Sequence, residues 1–428
     1  MKFEKSEELL ERELKVSPLA AQTYSKSYRY FSKGYAPSYM DHGEGCYIYD
    51  VDGNEFIDFM CALGPITVGY NDPVVNEAVI NQVRKFASGS LQSELEVELA
   101  EELCRIIPCA EMVRFVKNGG DATTAAVRLA RAFTGRDVVL MSGYHGMHDW
   151  SIGASENNKG VPKAVCELTI NFTYNDLADL EKKLQENEVA AVILEPIQSN
   201  GPKDGYLKGV KELAHKYGAI LIFDEVVSGF HYALGGAQEV FGVSPDLVAF
   251  GKGMGNGYPI SAVAGRKDLL KQIEDGVFVS TTFGGDSIAM AASLATLKIL
   301  ATPGYYEHIN KIGTLIRNGI QERIDKYDLN DVLSVSGMPA HCGVAFEGHG
   351  SLDYLDIQSI YSQTMLQNGI YVFAIYFLNM HHTEKEAQAY LNATDKAFSQ
   401  IRKAVDQDSL DGILLGGKVN PVFKRNIK

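Results

Sequence analysis

No run of apolar residues in this 428-residue chain approaches the ~20 needed to span a bilayer, so no membrane-crossing helix is expected. The first residues, MKFEKSEELLERELK, lack the apolar core of a secretory signal, and a cytoplasmic protein is expected. The six cysteines (Cys46, Cys61, Cys104, Cys109, Cys166, Cys342) form no CxxC pair and show no regular spacing. That pattern argues against a zinc cluster and for reduced, mostly buried thiols. Positive charge is in short supply: 40 Lys and Arg face 54 Asp and Glu, a net charge of −14, so nonspecific nucleic-acid binding is not expected. Internal repeats, low-complexity stretches and obvious linkers are missing as well. What remains is the composition of an ordinary globular protein, 46% hydrophobic and 22% charged, long enough for two or three domains.

From Met112 the chain alternates strand-like and helix-like segments, the pattern of an α/β fold with a mainly parallel sheet flanked by helices. Five short apolar runs each end in residues of chemical interest. MVRFVK leads to Asn118-Gly119-Gly120-Asp121, and VVLM to Gly143-Tyr144-His145-Gly146. AAVIL leads to Glu195 and on to Asn200, ILIF to Asp224 and Glu225, and LVAF to Gly251-Lys252-Gly253. Runs of this length bounded by turn residues suit strands buried on both faces, whose carboxyl ends border the ligand crevice of an open α/β sheet.

An acid and an amine at neighbouring strand ends suit pyridoxal phosphate. That cofactor needs an amine to hold its aldehyde as a Schiff base and a carboxylate to keep its ring nitrogen protonated. A lone lysine is ordinarily a solvated surface residue; Lys252 instead follows LVAF directly and sits among glycines. The NGGDATT stretch opening a helix reads as a phosphate seat, where backbone N–H groups and the helix dipole favour an anion. It reads equally as a simple helix cap formed by Asp121 or Thr123. His145 and His148 with Asp149 have a metal-like HxxH spacing, but a strand-to-loop setting lacks the helical geometry of a zinc protease, and no metal is expected.

The segment from Asp224 to Leu270 resembles the cofactor-lysine region of class III pyridoxal-phosphate aminotransferases, and within them is most similar to glutamate-1-semialdehyde aminomutase. CYIYDVDGNEFIDF is similar to a hairpin of the same family. The resemblance runs from about Gly45 to the C-terminal helix and implies fold type I: a large cofactor domain, a smaller α+β C-terminal domain and an N-terminal arm. The expected boundaries are 1–70 for the arm and hairpin, 71–301 for the large domain and 302–428 for the small one. Lys252 is then the cofactor lysine and Asp224 the partner of the ring nitrogen. Gly119, Gly120 and Asp121 form the phosphate loop, Tyr144 and Val226 cover the two ring faces, and His145, Glu195 and Asn200 surround the cofactor. Thr282 corresponds to a threonine reaching the phosphate of the neighbouring subunit, which implies a homodimer with shared active sites. GVPKAVCELTINFTYNDLADLEK resembles the aminomutase segment containing the mobile GVPK loop over the active site, a loop expected to lead directly into a strand; it reads also as an ordinary surface loop.

Departures from the aminomutase bear on substrate. Gly119, Asp121 and Ala122 replace the usual Ser, Thr and Glu of the phosphate loop. His231 stands where an arginine follows the family's DEV motif, and Phe373-Ala374-Ile375-Tyr376-Phe377 lacks the family's carboxylate. The reading is an aminotransferase passing an amino group from a small-molecule donor to an oxo acceptor, with a link to surface-carbohydrate pathways. An intramolecular aminomutase is the alternative, and a racemase a more distant one. A nucleotide-binding reading fails because GxxxxGK[ST] is absent and a strand-like segment, not a helix, follows GMGNG.

Toward the C-terminus, SVSG, HCGVAFE and IYVFAI read as strands, and IGTLIRNGIQERIDKY and EKEAQAYLNATDKAFSQIRKAV as helices.

Overall fold

The computed structural model describes residues 1–31 and 34–421. These separate into two compact units. One comprises residues 1–31, 34–63, 69–71 and 307–421; the other comprises 64–68 and 72–306.

In the first unit, β1 (Met40–Glu44), β2 (Tyr47–Asp50) and β3 (Glu55–Asp58) form an antiparallel meander. The β2–β3 hairpin closes where expected. Asp50 Oδ1 accepts the N–H groups of Asp52 and Asn54, and Gly53 takes φ 83°, a conformation that glycine adopts without a Cβ clash.

The second unit carries a seven-stranded sheet. Its strands are β4 (Met112–Val116), β5 (Val138–Ser142), β6 (Thr169–Asn171), β7 (Val189–Leu194), β8 (Ile220–Glu225), β9 (Leu247–Phe250) and β10 (Ser261–Gly265), in the order β4-β10-β9-β8-β7-β5-β6. Only β10 runs against its neighbours. Every residue of β7, β8, β9 and β10 is buried, which is why these strands read as continuous apolar runs rather than alternating ones.

The Gly119–Thr134 helix lays a stripe of small residues and one leucine on this sheet. Ala122, Ala125, Ala126 and Leu129 pack with Ile193, Ile222, Ala249 and Val263 in one core. Alanine keeps the helix close and leucine fills the gap. Gly135, left-handed at φ 65°, ends the helix, as its position after the periodic segment leads one to expect. The GVPK loop differs from expectation: a short helix, Lys163–Cys166, stands between it and β6.

Returning to the first unit, β11 (Leu333–Met338) and β12 (His341–Phe346) pair antiparallel. The run IYVFAI is not one strand. Its start, β13 (Ile370–Tyr371), pairs parallel with β3, and its end, β14 (Ile375–Phe377), joins β12. Between them residues 372–374 leave the strand, and the Ala374 carbonyl accepts the Val344 N–H at 2.8 Å, next to the β12–β14 pairing. The helices Tyr305–Lys326 and Glu384–Gln407 cover the two C-terminal helical segments read from the sequence. Among the described residues, no single helix is long and apolar enough to cross a membrane.

Candidate active site

The register of β8 against β9 sets the acid beside the amine. Asp224 lies opposite Ala249 and Glu225 opposite Phe250, and β9 then runs into Gly251 and Lys252. Adjacent strands lie about 4.8 Å apart and rise about 3.3 Å per residue. Lys252 therefore begins within about 10 Å of the Asp224 level, one strand over.

Asp224 is nearly buried, and each of its carboxylate oxygens has a partner. Oδ1 accepts the Val226 N–H at 3.0 Å, and Oδ2 lies 2.8 Å from His145 Nδ1. His145 is itself buried and anchored: its carbonyl accepts the Thr123 hydroxyl at 2.7 Å. Its ring lies parallel to Trp150, whose Nε1–H donates to Thr124 Oγ1 at 2.8 Å. A carboxylate fixed by an imidazole and a backbone N–H, out of water, can hold a proton on a heterocyclic nitrogen in one geometry. The sequence placed His145 around the cofactor; the structure places its ring against Asp224.

The glycines form a cradle that any side chain would fill. A Cβ on Gly119 would come 2.7 Å from Val226 Cγ1, and one on Gly146 would come 2.7 Å from Gly120 Cα. Val226 bridges onward, since a Cβ on Gly251 would lie 3.4 Å from its Cγ1. Gly119, Val226 and the approach to Lys252 are thus neighbours at the start of a 16-residue helix, where backbone N–H groups and the dipole favour an anion. Asp121 does not spoil this arrangement. Its Oδ2 turns back to accept the Asn118 N–H at 2.8 Å and Nδ2 at 3.1 Å, and His148 Nε2 lies 3.5 Å from Oδ1. The cradle and the Asp224–Lys252 pair fit pyridoxal phosphate.

Tyr144 is 42% exposed, and its N–H donates to Glu195 Oε1 at 2.8 Å. Glu195 thereby ties the β5 loop to the end of β7. Asn200 and Thr282 both lie on exposed loops, the first after β7 and the second before the Ser287–Leu300 helix.

Two further buried groups, Glu225 and His231, lie near this site without having been expected to touch the cofactor. Glu225 is enclosed, accepting Ser228 Oγ–H at 2.9 Å and the Ala237 N–H at 2.6 Å; burial pushes its carboxyl up to about 7 against those bonds. His231 lies with Nε2 2.7 Å from the Gly64 carbonyl oxygen and Nδ1 3.1 Å from that of Gly229. Burial pushes it down to about 4, with Lys252 acting in the same direction, so the ring is neutral at pH 7. Thr67, which donates to the Gly253 carbonyl, carries no sequence signal at all.

A parallel-dominated sheet with a glycine cradle at a helix start and a Lys–Asp pair at adjacent strand ends defines a pyridoxal-phosphate enzyme of fold type I. The model of the class-III aminotransferases matches residues 30–392, and the chain belongs to that family. It is 34% identical to the 3-aminobutyryl-CoA aminotransferase of Cloacimonas acidaminovorans, over 94% of this chain and 99% of that one. It is 36% identical to a glutamate-1-semialdehyde 2,1-aminomutase of Lachnoclostridium phytofermentans, over 88% and 95%. Among solved structures, the FumI protein of Sphingopyxis sp. MTA144, in its pyridoxal-phosphate internal aldimine form, superposes with a TM-score of 0.87 at 28% identity, covering 94% of this chain and 98% of that one. The protein is a pyridoxal-phosphate-dependent aminotransferase.

Proposed function

We propose that Lys252 and Asp224 run a two-half-reaction amino transfer between a primary amine donor and a ketone or aldehyde acceptor. The observation that carries this reading is the buried Asp224–His145 pair, one strand from a lysine in a glycine turn. When bound, pyridoxal phosphate supplies an aldehyde carbon and an electron-withdrawing ring. Asp224 holds the proton on the ring nitrogen. Gly119 and Gly120 present backbone N–H groups to the phosphate, while Tyr144 and Val226 cover the ring faces. Lys252 Nζ would hold the cofactor aldehyde and, once freed by an incoming amine, would be the group on this chain that takes up and returns the proton. Glu195 fixes the Tyr144 backbone, and Asn200 lies in the loop after β7.

Relatives named for 3-aminobutyryl-CoA and for glutamate-1-semialdehyde support an acyl-bearing amino compound as donor, and neither name points to a carbohydrate. His231 stands where the aminomutase resemblance expects arginine, so that position lacks a guanidinium for a substrate carboxylate, which supports a different substrate. Thr282, Phe278 and Phe283 are all exposed on one short loop, Phe278 by 73%. Their exposure supports a twofold dimer in which that loop is covered and Thr282 reaches the neighbouring subunit's phosphate. A net charge of −14 and the absence of a long apolar run support a cytoplasmic setting.

The test is a single-turnover reaction. Holoenzyme mixed with an amino donor, without acceptor, is expected to release one oxo acid per active site, and borohydride reduction to leave a pyridoxyl label on Lys252. Amino-group migration within the substrate with no oxo acid released would favour the aminomutase, and a label elsewhere would refute the site.

A further inference from the structure

The turn that carries Lys252 is left-handed at residues that have a Cβ. Lys252–Gly255 form one 3₁₀ turn after β9, with Lys252 at φ 34° and Asn256 at φ 45°. Such a conformation crowds the Cβ and persists only where surrounding groups impose it. The imposing groups come from the far-removed segment 64–68, which lies in the same compact unit. Thr67 Oγ1 donates to the Gly253 carbonyl at 3.1 Å, and the Val68 N–H donates to Asn256 Oδ1 at 3.1 Å. Thr67 is fully buried, and its own carbonyl accepts the Tyr305 hydroxyl at 2.8 Å.

His231 secures the other end of the segment through Gly64. Its ring also reaches the turn itself. A Cβ on Gly253 would come 3.0 Å from Thr67 Cγ2 and 3.1 Å from His231 Cε1, so both side chains close on this glycine.

We propose that Thr67 and His231 are positioning residues that lock the left-handed turn carrying Lys252, so that the 64–68 segment sets how readily the amine meets the cofactor aldehyde. This rests on Lys252 being the cofactor-bearing residue. The clamp touches neither the phosphate cradle nor Asp224 through any of the bonds above, so its effect passes through the lysine.

The experiment titrates apo-protein with pyridoxal phosphate and reads the absorbance of the bound species. It compares Thr67→Val, Thr67→Ser and His231→Phe, each in the parent chain and on Lys252→Ala. With Lys252 present, Thr67→Val and His231→Phe are expected to raise the half-loading concentration about 5- to 10-fold, the effect of one lost buried hydrogen bond, while Thr67→Ser stays within about twofold. On Lys252→Ala, none of the three should change it. Equal weakening in both backgrounds, or equal behaviour of Val and Ser, would overturn the clamp while leaving Lys252 labelled by borohydride. Loss of that label from the parent chain would overturn the lysine assignment, and the clamp with it. If Thr67→Val does not fold, His231→Phe carries the same comparison.

Discussion

At the scale of single residues, the chemistry depends on groups whose roles are set by a partner far away in sequence. Asp224 and His145 lie 79 positions apart and meet at 2.8 Å. His145→Phe keeps the aromatic packing on Trp150 but removes the donor. A bond to a charged group is worth about 1.5–3 kcal/mol, so kcat/KM is expected to fall about 10- to 100-fold in steady-state assays. Two buried histidines, His231 and His382, are both pushed down to about 4, chiefly by burial. The unfolded chain binds their protons from about pH 6.5 downward and the folded chain only near 4, so their contribution to stability is present above 6.5 and is lost as pH falls toward 4. Urea unfolding between pH 7 and 4 is expected to show this loss, at most about 3 kcal/mol per ring, and His382→Asn to flatten the curve. The sequence showed His231 as a departure from the family. It did not show the ring buried against the lysine turn, because neither carbonyl it faces has a side-chain signature.

At the scale of elements, the Gly119–Thr134 helix and the β5 loop meet backbone to backbone at Gly120 and Gly146. Two alanine substitutions separate strain from crowding. Gly135→Ala meets open space at φ 65° and is expected to cost about 1 kcal/mol. Gly146→Ala adds a 2.7 Å approach to Gly120 Cα on top of φ 107°, and is expected to cost about 2–4 kcal/mol in denaturant unfolding and to weaken cofactor loading. Elements with one dominant period were legible. The hairpin at Asp52-Gly53-Asn54, the helix after Asn118 and the buried strands all carry their own local signal. The split of IYVFAI between two sheets was not, because both halves have the same β propensity and their partners, β3 and β12, lie far away in sequence.

At the scale of the whole molecule, the proposed dimer makes a prediction that no single chain can satisfy. If Thr282 serves the neighbouring site, Lys252→Ala and Thr282→Ala chains are each impaired, yet a mixed dimer holds one intact site. Unfolding and refolding an equimolar mixture is then expected to restore activity at ~25% of sites, the random-pairing value for a twofold assembly. No recovery above the separate variants would exclude sharing.

The amino-acid sequence by itself determined the class of chemistry. Apolar runs that end in Asp224, in Lys252 and in a glycine-rich helix start can be read locally, because burial and turn formation act over a few residues. The tertiary structure alone decided which groups hold those residues in place. His145 behind Asp224 and Thr67 on a turn 186 positions away are hydrogen bonds between polar groups that any of several partners could have satisfied. Only packing of the sheet and its connecting loops selects among them.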